Sequence, residues 1–349
     1  MNGIPCMLMR GGTSKGPFFL ASDLPSNIEA RNQALLALMG SPDARQIDGI
    51  GGAHPLTSKV AIVSPSKRED SDVDYLFLQI TPETNVISDS QNCGNMLAAV
   101  GPFAIERDLV SPEDGETTVR VYMVNSDSRA DLIVQTPNRK VSYEGTARID
   151  GVPGCHAPIL QNYFGTAGAQ CGALLPTGNE LDVIEGIECT LVDNGMPSVL
   201  VRAKDFGLSG YETPQELEDN SVLKMRLEAI RLEAGRLMNL GDVSDMTIPK
   251  MCLIAPPRNG GIISTRTFIP HRVHQAVGVL AAASDAAGCM FLGGVAAGMA
   301  EFEETNPCRV NVEHPTGALT VELEWENGTV IRAALLRTAR KLMDGMVYL

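Results

Sequence analysis

Four short stretches of this chain combine residue types that can move protons and hold anions. Gln91-Asn92-Cys93-Gly94-Asn95 opens the apolar run Met96-Leu97-Ala98-Ala99-Val100. A cysteine there stands where an extended segment turns into a helix. The first N–H groups of a helix have no internal partners and carry the positive end of its dipole. A thiol at that place ionises more easily than a free one, and the same N–H groups can seat a carboxylate. A buried, inert thiol is the alternative. Asn92 and Gly94 favour the helix-start reading, because packing alone has no need of them.

The second stretch is Arg10-Gly11-Gly12-Thr13-Ser14-Lys15-Gly16. Its glycines permit close backbone approach, Thr13 and Ser14 offer hydroxyls, and Arg10 and Lys15 offer charge. An anion nest and a tight hairpin turn fit this composition equally. The P-loop spacing is absent. The third is Asp48-Gly49-Ile50-Gly51-Gly52, followed by Leu56-Thr57-Ser58-Lys59-Val60. Lys59 enters the apolar run Val60-Ala61-Ile62-Val63. Desolvation there would favour its neutral amine and make it a usable base; an exposed strand-end lysine is the alternative. The fourth runs from Arg266 to His274, where Arg266, His271, Arg272 and His274 suit carboxylate recognition. His271 and His274 lack a third nearby ligand, which a catalytic zinc requires, so no metal is expected. No G-x-S-x-G, H-E-x-x-H or well-placed G-x-G-x-x-G occurs. A thiol, an amine, glycine loops and arginines fit proton transfer beside carboxylates, which needs no cofactor.

The rest of the chain must position these groups. Its 349 residues give room for two domains. A formal charge of −14, from 28 basic and 42 acidic residues, argues against a nucleic-acid surface. An anionic substrate would need a site locally positive against that field. The eight cysteines are irregularly spaced and no signal peptide is evident, so reduced thiols and a cytoplasmic location are expected. The apolar run from Val277 to Ala300 contains Asp285 and reads as a buried helix followed by a turn at Gly293-Gly294, with no membrane span. Nothing in the residues fixes the oligomeric state, and a homodimer is compatible with them.

Apolar spacing predicts strands at residues 5–9, 17–20, 60–63 and 73–80, with helices at 26–39 and from Cys93 to about Arg107. A hairpin-like pair is expected at 117–124 and 129–135. Further strands are expected at 187–192 and 198–202, around the turn Asp193-Asn194-Gly195, and at 248–254 and 262–269. Helices are expected at 222–238 and 274–287, then a closing meander at 310–312, 319–325 and 329–335. A strand, a turn and an alanine-rich helix occur in both halves, at Cys93-Gly94-Asn95 and at His274-Gln275-Ala276. That echo would place two helix starts in equivalent positions.

Taken together, these motifs resemble the PrpF-like isomerases, as do Leu174-Leu175-Pro176-Thr177-Gly178-Asn179 and Asp193-Asn194-Gly195-Met196-Pro197. The resemblance covers essentially the whole chain. It implies an α+β, diaminopimelate epimerase-like fold: two pseudo-symmetric halves, each a β-sheet wrapped around a central helix, with the active site between them. The halves are expected at 1–186 and 187–337, with 338–349 packing back on the first. Diaminopimelate epimerase uses two cysteines, one at each helix start. Cys93 matches the first, and no cysteine stands near His274, which rules against a two-thiol racemase. The implied activity is cofactor-independent isomerisation of small unsaturated di- or tricarboxylates. Keto–enol tautomerisation of 4-oxalomesaconate in gallate degradation comes first. Allylic or cis/trans isomerisation of oxalomesaconate, aconitate or 2-methylaconitate is an alternative, and a non-catalytic metabolite-binding protein a further one. Lys59 would then be the principal proton-transfer group and Cys93 its partner. Arg10, Gly11, Gly12, Thr13, Ser14, Ser58, Asn92, Gly94, Asn95, Arg266 and His271 would hold the substrate.

Overall fold

A computed structural model describes residues 3–89 and 92–349; Gln91 of the first motif lies outside them. The chain divides into two units, one comprising the residues up to Asn162 with Leu336–Leu349, the other Tyr163–Leu335.

The first unit contains β1 (Ile4–Gly11), β2 (Ser14–Leu20), α1 (Ile28–Met39), β3 (Lys59–Pro65), β4 (Val73–Ile80), β5 (Ile87–Ser88), α2 (Gly94–Glu106), β6 (Gly115–Met123), β7 (Ser128–Thr136) and β8 (Pro158–Phe164). The ladder β1–β2–β3–β4–β6–β7 is closed by the end of the last strand of the chain, which pairs antiparallel with β1 from Ile4↔Val347 to Gly11↔Ala339. Inside runs α2, whose residues from Met96 to Ile105 are all buried. A helix apolar on every side must be enclosed on every side, and the strands supply that enclosure. On the other face of the sheet, Leu35, Leu38 and Met39 of α1 pack with Cys6, Phe19, Val60 and Ile62.

Strand side chains alternate between faces, so this parity assigns each candidate residue a side. Val60 and Ile62 join the α1 cluster, which leaves Lys59 and Ala61 facing α2. Cys6 joins the α1 cluster, so Leu8 and Arg10 share its face, while Met7, Met9 and Gly11 face α2. The Phe18 ring, paired with Met7 in register, meets Phe103 of α2 at 5.6 Å between centroids.

The second unit contains β9 (Asp182–Ile184), β10 (Ile187–Asp193), β11 (Pro197–Arg202), α3 (Pro214–Glu218), α4 (Ser221–Leu237), β12 (Lys250–Ala255), β13 (Ile263–Phe268), α5 (Val279–Cys289), β14 (Cys308–His314), β15 (Gly317–Glu326) and the first part of β16 (Thr329–Val347). Its plan repeats that of the first unit. Leu223, Leu227, Ile230 and Ala234 of α4 pack with Met251, Leu253 and Phe268 on one face. The apolar α5 covers the other, where Asn194 holds it: the backbone N–H of Asn194 donates to Ser284 Oγ (2.9 Å), and its side-chain amide donates to the Ala283 carbonyl (3.2 Å).

Three expectations need correction. The helix expected from residue 274 begins at Val279, with Gly278 as its N-cap. The His271–His274 stretch is instead a tight return, with Ile269 N–H donating to Arg272 O and His274 N–H to Thr267 O. The unit boundary falls at 162/163 rather than 186, because the 163–186 segment is tied to β10: the N–H groups of Gln170 and Cys171 donate to Asp193 Oδ2. The last strand runs on through Val347 instead of ending at 335. All eight cysteines are unpaired, and no helix of the described residues is long and apolar enough to cross a membrane.

Candidate active site

In the first unit the structure gathers three of the four stretches around the first turn of α2. Cys93 is the N-cap, with extended backbone (φ −129°, ψ 97°). No side chain caps this helix start among the described residues, and its first turn carries no acidic residue. The helix start is anchored from below: Tyr75 Oη donates to Cys93 O (3.3 Å) and Gln161 Nε2 to Gly94 O (2.7 Å). Among the described residues no partner is seen for its leading N–H groups, the kind of donors that can seat an anion. Cys93 itself is half-buried.

The Arg10–Gly16 stretch is both things its composition allowed, a two-residue hairpin and a close-approach loop. Gly12 sits at the first central position with φ +51°, where a hairpin turn of this length favours glycine. A Cβ at Gly12 would lie 2.1 Å from Asn95 Oδ1, the atom that accepts the Thr13 N–H at 3.4 Å. At Gly16, a Cβ would lie 1.8 Å from the carbonyl oxygen of Lys59. Thus the hairpin rests on the α2 start at one end and on Lys59 at the other. Ser14 pairs with Gly11 in register and shares its face, toward α2. Its hydroxyl is buried and has no hydrogen-bond partner, an arrangement native structures rarely leave without a ligand or water.

Lys59 is 7% exposed. Its ammonium donates to Gln79 Oε1 at 2.6 Å and stands 5.0 Å from the centre of the Phe77 ring. Gln79 is fixed in turn, because its Nε2 donates to the carbonyls of Pro55, Ser58 and Ile80 at 3.0–3.2 Å. A neutral amide thus orients the amine, with no carboxylate pairing to it among the described residues. The Asp48–Gly52 loop supports the start of β3. Gln46 Oε1 accepts the Ala53 N–H (2.8 Å) and the Ser58 hydroxyl (2.6 Å). Asn92 donates through Nδ2 to Ser126 Oγ, and its Oδ1 is buried without a partner.

Two expected residues of the first unit, Ser58 and Arg10, do not join this group, and Arg266 and His271 belong to the second unit. Ser58 faces the α1 side, fully buried, and spends its hydroxyl on Gln46. Arg10 lies on the sheet face away from α2, where its Nη1 donates to the carbonyls of Gly12 and Thr338 and to Thr338 Oγ1. Arg266, in the second unit, pairs in register with Leu253 and so lies on the α4 face, opposite Cys252 and α5. It donates to the carbonyls of Glu212 (2.6 Å) and Thr265 (2.8 Å), and burial pulls its pKa down. His271 is exposed, with Nδ1 3.8 Å from Glu228 Oε2 on α4. Period-2 alternation decides each of the strand cases. Reading the motifs by proximity in sequence overlooked it.

Sequence reasoning missed Gln79, Gln161 and Gln46. Gln161 carried a signal: in Pro158–Phe164 it occupies the same parity as Ile159 and Tyr163, and all three are buried. Gln79 carried the same signal, sharing the parity of the buried Val73, Tyr75 and Phe77 in β4, whereas Gln46 carried none.

An apolar helix enclosed by strands, its uncapped start beside a buried lysine, and a second unit built on the same plan define an α+β protein of the diaminopimelate epimerase-like class. A profile of the PrpF protein family matches residues 1–349, and the chain belongs to that family. It is 55% identical to the (4E)-oxalomesaconate Delta-isomerase of Novosphingobium sp. (strain KA1), covering 100% of this chain and 98% of that protein. It is 54% identical to the 4-oxalomesaconate tautomerase of Pseudomonas putida, covering 99% of this chain and 95% of that protein. Among solved structures, a methylitaconate-delta-isomerase superposes with a TM-score of 0.89 at 34% identity, over 99% of this chain and 95% of that one.

Proposed function

We propose that this protein is a cofactor-independent isomerase of small unsaturated carboxylates, and specifically a 4-oxalomesaconate keto–enol tautomerase. The observation that carries the reading is Lys59: a buried amine on the α2 face, held by a neutral amide, beside a hairpin with an unsatisfied hydroxyl. The substrate's carboxylate is seated on the N–H groups of Gly94 and Asn95, with the Ser14 hydroxyl as a further donor, while Asn92 Oδ1, an acceptor, is left for the enol hydroxyl. Lys59, as the free amine, takes a proton from the carbon next to the keto carbonyl. The electron pair moves onto oxygen, and helix-start and hairpin donors stabilise the enolate. A proton delivered to that oxygen by Cys93 or Lys59 completes the enol, with no change in oxidation level. Acid–base help of this kind supplies roughly 10²–10⁴-fold, and the anion seat supplies the remainder. The pathway is gallate breakdown, in the cytoplasm.

A second reading, an allylic double-bond isomerase, begins with the same proton abstraction. Its support is the 55% identity to a protein named as a Delta-isomerase, matching that to the tautomerase. Incubating the purified protein with 4-oxalomesaconate and following both ultraviolet absorbance and proton NMR separates the two. Interconversion of keto and enol forms with the carbon skeleton's double bond unmoved supports the tautomerase. A shifted or inverted double bond supports the alternative, and no change in either would refute both.

A further inference from the structure

The β1–β2 hairpin has a second face. There Arg10 is flanked by its cross-strand neighbours, Lys15 on β2 and Arg340 on β16. These three cations line a cavity of about 260 Å³, with Ser14 at the hairpin end and His156, Val152 and Leu342 among the other walls. No acidic residue lines it, and none of the three cations has a carboxylate partner among the described residues. Arg10 Nη2 is buried and bonded to nothing. Burial, and then the charge of Arg340, pull the Arg10 pKa down to about 10. Like charges directly opposite one another on a sheet are destabilising. In a chain of net charge −14, carboxylates to neutralise them are abundant, yet none is placed here. The polar side of the cavity is therefore built for an anion that comes from outside. Val152 and Leu342 add an apolar wall, which inorganic phosphate could not use and a carbon skeleton could.

We propose that this cavity is a second ligand site, on the opposite sheet face from Lys59, for a small organic anion carrying two or three carboxylates. The occupant places its carboxylates on Arg10, Lys15 and Arg340 and its carbon chain against Val152 and Leu342. Occupancy relieves the repulsion among the three cations and so stabilises the first unit.

The test is calorimetric titration of the full chain with tricarballylate, a saturated tricarboxylate that cannot be isomerised, and separately with inorganic phosphate. The same titrations are run on R340Q, K15Q and K59A, the last on the α2 face and outside the cavity lining. Losing one charge-assisted contact weakens binding by roughly tenfold or more. R340Q and K15Q should each lose that much for tricarballylate, K59A should keep this binding event, and phosphate should bind far more weakly. Unchanged affinity in both R340Q and K15Q, or loss in K59A alone, would place the ligand on the α2 face and overturn the proposal. Phosphate binding as tightly as tricarballylate would overturn the carboxylate assignment. Should R340Q fail to fold, V152E puts a carboxylate at the cavity wall and must abolish the same event. The titration reads binding alone, so it stands or falls separately from the tautomerase reading.

Discussion

Replacing Gly12 with alanine tests how the hairpin is seated on α2. Two costs follow from the geometry. An alanine at φ +51° carries left-handed strain of roughly 1–2 kcal/mol. Its Cβ would also stand 2.1 Å from Asn95 Oδ1 and 2.8 Å from Cγ. The Asn95 side chain must then rotate away and give up the Thr13 N–H, a loss of about 0.5–1.5 kcal/mol. Together G12A should cost about 2–3 kcal/mol. In an N95A background the two close atoms are gone and the next contact is Cβ at 3.1 Å, so only the strain of roughly 1–2 kcal/mol remains. The two substitutions should therefore be coupled by about 1 kcal/mol. Equilibrium urea denaturation of the four proteins measures this, provided the m-value is shared. An equal cost for G12A in both backgrounds would show that the contact with Asn95 is not what requires glycine, and the seating argument would fail.

Ser14 and Asp285 yield two further predictions. S14A removes a buried hydroxyl with no partner, so stability should stay level or rise by up to about 1 kcal/mol, while kcat/KM falls roughly 10–100-fold. A loss of stability instead would reveal an internal role for the hydroxyl. Asp285 of α5 is fully buried, and desolvation pushes its pKa from 3.8 up to about 7, against smaller opposing contributions from Cys252 and Ser198. Between about pH 4 and pH 7 the folded protein keeps a proton that the unfolded chain has released. Wild-type stability is therefore fully present below that range and falls across it, by up to about 1.4 kcal/mol per pH unit. D285N cannot titrate there, so urea midpoints at pH 5.5 and 7.5 should show it gaining on the wild type as pH rises. Parallel profiles would contradict the assignment.

Much of the first unit was legible because apolar periodicity and site chemistry coincide there. Cys93, Gly94 and Asn95 mark a helix start in sequence and form one in space. The hairpin glycines announce close approach without saying to what; Asn95 and the Lys59 carbonyl are the answers. What failed were inferences that required knowing which face a residue occupies. Ser58 and Lys59 are neighbours in sequence and opposites across the sheet. Arg10 and Ser14 belong to one loop and serve two faces. In the second unit, Gly278 is an acceptable helix cap, but the basic stretch before it drew the expected start four or five residues too early. The final stretch of β16 carries Arg337, Arg340, Lys341 and Asp344 and lacks the alternation that would have shown it as a strand. Its partner β1 lies at the other end of the chain, where only folding brings the two together.

The central claim is that Lys59 moves the proton. With 4-oxalomesaconate in deuterated buffer, proton NMR follows solvent deuterium entering the carbon next to the keto group. Wild-type protein should exchange that position during turnover. K59A, shown folded by its circular dichroism and urea midpoint, should neither exchange it nor turn over. If K59A keeps exchange and more than about a tenth of wild-type kcat, a deficit smaller than acid–base catalysis supplies, Lys59 is not the base.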